Sequence, residues 1–170
     1  MLAAANTIDR VMRGFGEALK WLLPIVVFLA AAVALLRYGL SVGYPWLSES
    51  FVWLNGALVF LGAAAVYSRD GHVRVDLVYR KIGPRGRAWA NLFGTVFFLW
   101  PMMAVIAVKA WPALIRSWNL LEGSSSIDGL PFLYLMKTAV VAFCALMALQ
   151  GIATALRSLH VIVHGPGSTD

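Results

Sequence analysis

Between Trp46 and Asp76 the chain reads WLSESFVWLNGALVFLGAAAVYSRDGHVRVD, an apolar stretch that ends abruptly in charge. No charged residue occurs from Phe51 to Tyr67. A bilayer core of about 30 Å calls for roughly 20 apolar residues, and interfacial groups supply the margins. The stretch therefore predicts a membrane-spanning helix with an acid, Glu49, at its mouth. Trp46, Glu49, Trp53, Gly56, Phe60, Ala63 and Tyr67 recur at alternating spacings of three and four, so they share one face of that helix. At the exit, Arg69, Asp70, His72, Arg74 and Asp76 gather five ionisable side chains in a short turn.

Composition extends this reading to the whole chain. At 170 residues, 61% hydrophobic and 13% charged, it is too apolar for a soluble domain of its size and is expected to be an integral membrane protein. The net charge of +6 sits beside apolar runs rather than on a polar surface, so it sets topology and does not point to nucleic acid. Cys144, the single cysteine, lies in an apolar run, which excludes a disulfide framework and a CxxC pair.

The fold class is therefore all-α, with an amphipathic interfacial helix over residues 1–20 and a four-helix transmembrane domain over 21–156. The spans fall at about 21–40, 50–68, 89–111 and 131–156, and residues 157–170 form a tail. In the first helix Ile8, Val11, Met12, Phe15 and Leu19 share a face, Asp9, Arg10, Arg13, Glu17 and Lys20 lie elsewhere, and Asn6 or Thr7 is placed to cap it. Pro101, near the centre of the third span, is expected to kink it or force a local change in backbone bonding. Beyond Pro112 that helix is expected to continue as ALIRSWNLLE. In the polar loop 68–88 a short helix around Val75, Val78, Tyr79 and Ile82 is expected to stop at Gly83-Pro84. Ten Lys and Arg residues fall in the N-terminal segment, this loop and the tail. Only Arg37, Lys109, Arg116 and Lys137 fall on the other side. The positive-inside rule then places both termini in the cytoplasm.

Little chemistry is on offer. His72, His160 and His164 lie outside the spans, so they cannot face each other across a haem. No metal-ligand spacing, phosphate-cradling loop or nucleophile constellation occurs, so neither a cofactor nor an enzymatic activity is expected. The midplane is apolar apart from Asn55 and Gln150, which read as interhelical hydrogen bonders. A self-sufficient carrier needs more than that. Two other classes stay open: an independent small channel or proton-coupled carrier in which Glu49 titrates, and a membrane assembly or scaffold protein.

Several residues together resemble a known family. Arg37-Tyr38, Trp46 with Glu49, FLGAA from Phe60 to Ala64, Arg69, His72-Val73, Asp76, and the stretch from Trp118 through Gly129-Leu130-Pro131 are similar to the small membrane subunit of tripartite ATP-independent periplasmic (TRAP) transporters. Ser50 departs from the pattern, since many relatives carry a second acid there. The resemblance implies a bacterial inner-membrane protein that forms a heterodimer with a large membrane subunit and works with a periplasmic solute-binding protein. It implies that sodium and substrate bind the large subunit. It further implies substrates that are organic acids, such as C4-dicarboxylates or sugar acids, and a small subunit that braces the scaffold.

On that basis the residues acquire roles. Gly56, Gly62 and Ala63 let a helix approach closely, either the partner's or one of this bundle's own. Trp46 and Trp53 belong to the same face. Arg37 and Glu49 are placed to pair across the outer ends of the first two spans, or else to stand as separate solvated charges. Arg69, His72 and Asp76 either lock the cytoplasmic exit or touch the partner, against the alternative of a solvated loop. Lys20, Trp21 and Trp89 are the candidate contacts for phospholipid at the subunit interface.

Overall fold

The computed structural model describes residues 2–69 and 82–165, and every regular element among them is helical. Helix α1 spans Leu2–Lys20 and α2 Leu22–Ala34, extended by a wider π-helical turn, Leu35–Gly39. Helix α3 spans Pro45–Ser68 and α4 Pro84–Gly94, which passes through a second π turn, Thr95–Leu99, into α5, Trp100–Leu120. Helix α6 spans Leu133–His164. Among the described residues, four helical stretches are long and apolar enough to cross a membrane: Leu2–Gly39, Pro45–Ser68, Pro84–Leu120 and Leu133–His164. At 1.5 Å per residue, the 24 residues of α3 reach about 36 Å, a single crossing. The 37 residues of Pro84–Leu120 reach about 55 Å and must project beyond the hydrocarbon, as the reading of ALIRSWNLLE anticipates.

Prolines set the helix starts. Pro45 and Pro84 occupy first-turn positions, where a missing amide hydrogen costs nothing, and each follows a residue in the extended conformation. Gly83-Pro84 therefore opens a helix, and the helix that carries the third span begins at Pro84, ahead of Trp89. The short helix expected around Val75, Val78 and Tyr79 falls outside the described residues. Pro101 has its expected effect on bonding. It cannot donate to the carbonyl one turn back, and the turn just before it widens so that Trp100 N–H reaches Thr95 O, five residues earlier. The helix beyond ends at Leu121, which turns left-handed (φ 46°).

Helix α6 is the central post, packed against α1, α3, α4 and α5, while α2 leans on α3. Its buried residues include Ala139, Cys144, Met147, Ala153 and Ala155. Met12, Ala64 and Met103 complete the core from α1, α3 and α5. Trp100 Nε1 donates to Ala148 O at 3.3 Å, tying α5 to the post. The large side chains face outward instead: Phe28 is 73% exposed, and Val27, Phe97, Phe98 and Val108 are also exposed. A soluble domain buries such residues, whereas a membrane bundle packs small ones inside and turns large ones to lipid or partner.

The faces of α1 depart from those expected. Ala5, Asp9 and Met12 are the buried residues, and Val11, assigned to the apolar face, is largely exposed. The helix packs on α3 and α6 as part of the bundle. Asp9, assigned to the polar face, is fully buried because α6 supplies its partners: Gln150 Nε2 donates to Asp9 Oδ1 at 2.6 Å, and Arg157 forms an ion pair with Oδ2. Arg157 also reaches Asn6 Oδ1 at 3.3 Å. Neither Asn6 nor Thr7 caps the helix, which already runs from Leu2; the Thr7 hydroxyl donates to Ala3 O within it.

Removing one member of a buried pair strands the other, at a cost of about 2–4 kcal/mol when the survivor keeps some access to water. Asp9→Leu should lower the thermal stability of the detergent-solubilised chain by that order. Adding Arg157→Met should recover most of the loss. Equal melting of Asp9→Leu and the parent would show that the pair does not hold α1.

Candidate functional site

The helix ends form two polar clusters, with an apolar wall between them. At one end, formed by the α2–α3 and α5–α6 connections, the organising group is Glu49. Its carboxylate accepts a hydrogen bond from Ser124 Oγ, and Leu130 N–H donates to Oε2 at 2.8 Å. The loop folds around this anchor, with Ser124 N donating to Leu130 O at 2.8 Å and Gly129 N to Ser126 O at 3.1 Å. A Cβ on Gly129 would fall 2.6 Å from Ser124 Cβ and 2.9 Å from Glu49 Oε2, so only glycine fits. Nearby, Lys137 pairs with Glu122, and Trp118 Nε1 donates to Thr138 Oγ1 at 3.0 Å.

This corrects the expected pairing of Glu49 with Arg37. The carboxylate is taken up by a hydroxyl and an amide from a loop some 80 positions away, and Arg37 has no ion pair or hydrogen bond among the described residues. Around Arg37, Tyr38 is 82% exposed, and Trp46 is partly exposed with its ring 6.1 Å from that of Tyr44.

The shared face of α3 turns largely into the bundle. Gly56 lies against α6, where an added Cβ would fall 2.9 Å from Met136 Cε, and Phe60 meets Phe143 at 5.8 Å. Ala63 and Tyr67 pack on the core, while Trp53 lines an open groove with Leu29 and Met136. Gly62 points elsewhere. An added Cβ there would meet nothing within 4 Å, and the residue lines an apolar groove of about 300 Å³ with Leu19, Leu23, Leu58 and Val59.

At the opposite end, Arg69 closes on Glu17 of α1, and Lys20 reaches the same carboxylate at 2.8 Å. His72 and Asp76 lie outside the described residues. Of the candidate lipid contacts, Lys20 is held by Glu17, and Trp21 and Trp89 turn their indoles outward. His160 and His164 stack 4.6 Å apart on one helix. Among the described residues no group of three His, Cys, Asp or Glu could hold a metal.

Sequence reasoning missed the loop donors to Glu49 and the Asp9–Arg157 pair. The one signal that pointed to the latter was Gln150, a buried amide in an apolar run.

Replacing Glu49 by Gln leaves the Leu130 amide and Ser124 hydroxyl with a weaker acceptor, so a less firmly held loop is expected. Gly129→Ala should loosen the loop further. Limited proteolysis within 121–132 would detect both, and unchanged cleavage would refute the anchoring role. Lys137, followed by Ser117, holds Glu122 below the usual carboxylate range. A depressed folded value means that the pair stabilises the protein above the ordinary carboxylate pKa and stops doing so as pH falls through the folded one. Melting temperature should therefore hold steady from neutrality to the ordinary carboxylate pKa, then fall with acidification, and Glu122→Gln should flatten part of that fall.

The family model described as the DctQ component of tripartite ATP-independent periplasmic transporters matches residues 26–161. The match runs from the first turns of α2 into the last turn of α6 and contains Glu49, its loop donors, Gln150 and Arg157. No curated protein and no solved structure matches the chain. The match covers most of the chain and coincides with its membrane-crossing helices. The chain therefore belongs to the DctQ family: it is a small, inner-membrane subunit of a TRAP transporter, a complex completed by a large membrane subunit and a binding protein.

Proposed function

We propose that this chain braces the scaffold of the large subunit during sodium-coupled, binding-protein-dependent uptake of an organic acid such as a C4-dicarboxylate or sugar acid. The observation that carries this reading is the use made of its polar groups. The interior carboxylate, Asp9, is engaged by Gln150 and Arg157, and Glu49 is engaged by its loop. Sodium and substrate would then bind the partner. The outward apolar faces of α2, α4 and α5, including Phe28, Phe93 and Val105, offer wide surfaces for a membrane-embedded neighbour.

In this reading both termini face the cytoplasm, because the Lys and Arg excess lies at that end. Phospholipid fills the subunit seam near Lys20, Trp21 and Trp89, which combine a cation with outward indoles. Native mass spectrometry of the purified complex should find phospholipid retained, and its loss on Trp21→Ala with Trp89→Ala would locate it.

The test is reconstitution with and without the large subunit and the binding protein, with sodium-dependent uptake of labelled organic acids as the readout. Uptake should require all three proteins. In the same vesicles, an impermeant thiol reagent should reach Ser125→Cys and Ala4→Cys from opposite faces. Transport by this chain alone would overturn the proposal.

A further inference from the structure

Resting on the subunit reading, we propose that Arg37 docks a carboxylate of the large membrane subunit. Charge accounting at the loop end motivates this. Glu49, the nearest acid in sequence, is spent on Ser124 and Leu130. Glu122 is held by Lys137, with Arg116 adding to the positive field on it. The Arg37 guanidinium, a permanent cation, has no ion pair or hydrogen bond among the described residues.

The place is also shaped. Arg37 lines a cavity of about 290 Å³ with Val33, Leu36, Tyr44, Leu47 and Ser48. Its walls are built by backbone bonding: Leu36 O accepts from both Leu40 N (3.3 Å) and Val42 N (3.0 Å), and Leu47 N and Ser48 N both donate to Tyr44 O at 3.2 Å. Between them Ser41 holds a left-handed conformation (φ 55°), which folds the connection back over the end of α2. A non-glycine residue held in that region, beside a π turn, commonly marks a functional site.

The lining selects the ligand. A guanidinium offers a planar fork of donors, and the residues beside it carry the hydroxyls of Tyr44 and Ser48, a set that matches the lone pairs of a carboxylate. Apolar lining selects its bearer. Val33 stands in the last turn of α2 and Leu36 in the π turn beyond it, beside Leu35, which is 71% exposed, so an occupant seated against them also meets the apolar end of the first span. A membrane-embedded neighbour presents the matching apolar surface. The exposed Tyr38 and partly exposed Tyr44 flank the site, in keeping with the aromatic and arginine anchors that carry binding energy in interfaces.

The experiment measures binding of the full chain to the purified large subunit in nanodiscs, as wild type, Arg37→Lys, Arg37→Ala and Arg37→Glu. Arg37→Glu should weaken binding by at least about ten-fold, Arg37→Lys by less, and the difference should shrink in high salt. The melting temperature of each isolated variant should match the wild type, because Arg37 has no partner among the described residues of its own chain. A charge exchange in the large subunit, an acid replaced by Lys, should restore the Arg37→Glu variant. Wild-type affinity in Arg37→Glu would overturn this inference while leaving the subunit reading intact. Failure of the wild-type chain to bind would overturn the subunit reading itself. Normal assembly of Arg37→Glu, combined with loss of stimulation by the binding protein, would also overturn the inference and would move the carboxylate to the soluble partner.

Discussion

A helix in hydrocarbon satisfies its own backbone, and lipid is as apolar as leucine, so release of water does not hold one span to the next. Close packing and a few polar ties must do it. The interior is accordingly built from Ala64, Ala139, Cys144, Met147 and Ala153, while Val27, Phe28, Phe97 and Phe98 face outward. The ties fall at successive levels of α6. Thr138 receives Trp118, the Ala148 carbonyl receives Trp100, Gln150 reaches Asp9, and Arg157 closes on the same acid. Because each joins a different stretch of the post to α5 or α1, neither helix can slide along it without breaking one.

The same economy explains what the acids do. Glu49 anchors a loop, Glu122 fastens that loop's start to α6, Glu17 gathers Arg69 and Lys20, and Asp9 is sealed inside. A carrier needs titratable or coordinating groups that exchange partners near the midplane. Here carboxylates at both ends are used to hold helices and loops together. That arrangement suits a part that stays still while a neighbour moves.

The fold was legible because apolar run length is a direct consequence of bilayer thickness, and the number and order of the spans derive from it. The effect of Pro101 was legible too, since a missing amide hydrogen must be accommodated nearby, and the widened turn at Thr95–Leu99 does so. Contacts across the sequence were not. Glu49 was matched to Arg37 on proximity, whereas its donors stand at Ser124 and Leu130, and nothing local distinguishes those from other loop residues. Asp9 was turned outward because face arithmetic assigns a charge to water unless a partner is known, and Arg157 lies almost a chain length away. Gly83-Pro84 illustrates a different limit: Pro84 opens a helix from a first-turn position, and the signal for that start lies in the residues on its C-terminal side.

Helix α1 bears on how the two ends differ. The family match begins at residue 26, so α1 lies outside it, yet Gln150 and Arg157, which lie inside it, complete their polar contacts through Asp9 and Asn6 of α1. Met12 enters the same core cluster as Met103 and Met147, and Ala5 is as fully buried as any residue of the post. Without α1, a charged and an amide side chain of α6 would stand unpaired at the edge of the bundle, and the core would lose one wall. An amphipathic helix that merely floated on headgroups would leave Asp9 in water. Its burial means that α1 completes the bundle at this end, as the Glu49 loop does at the other, and leaves the outward apolar faces between them as a fixed surface.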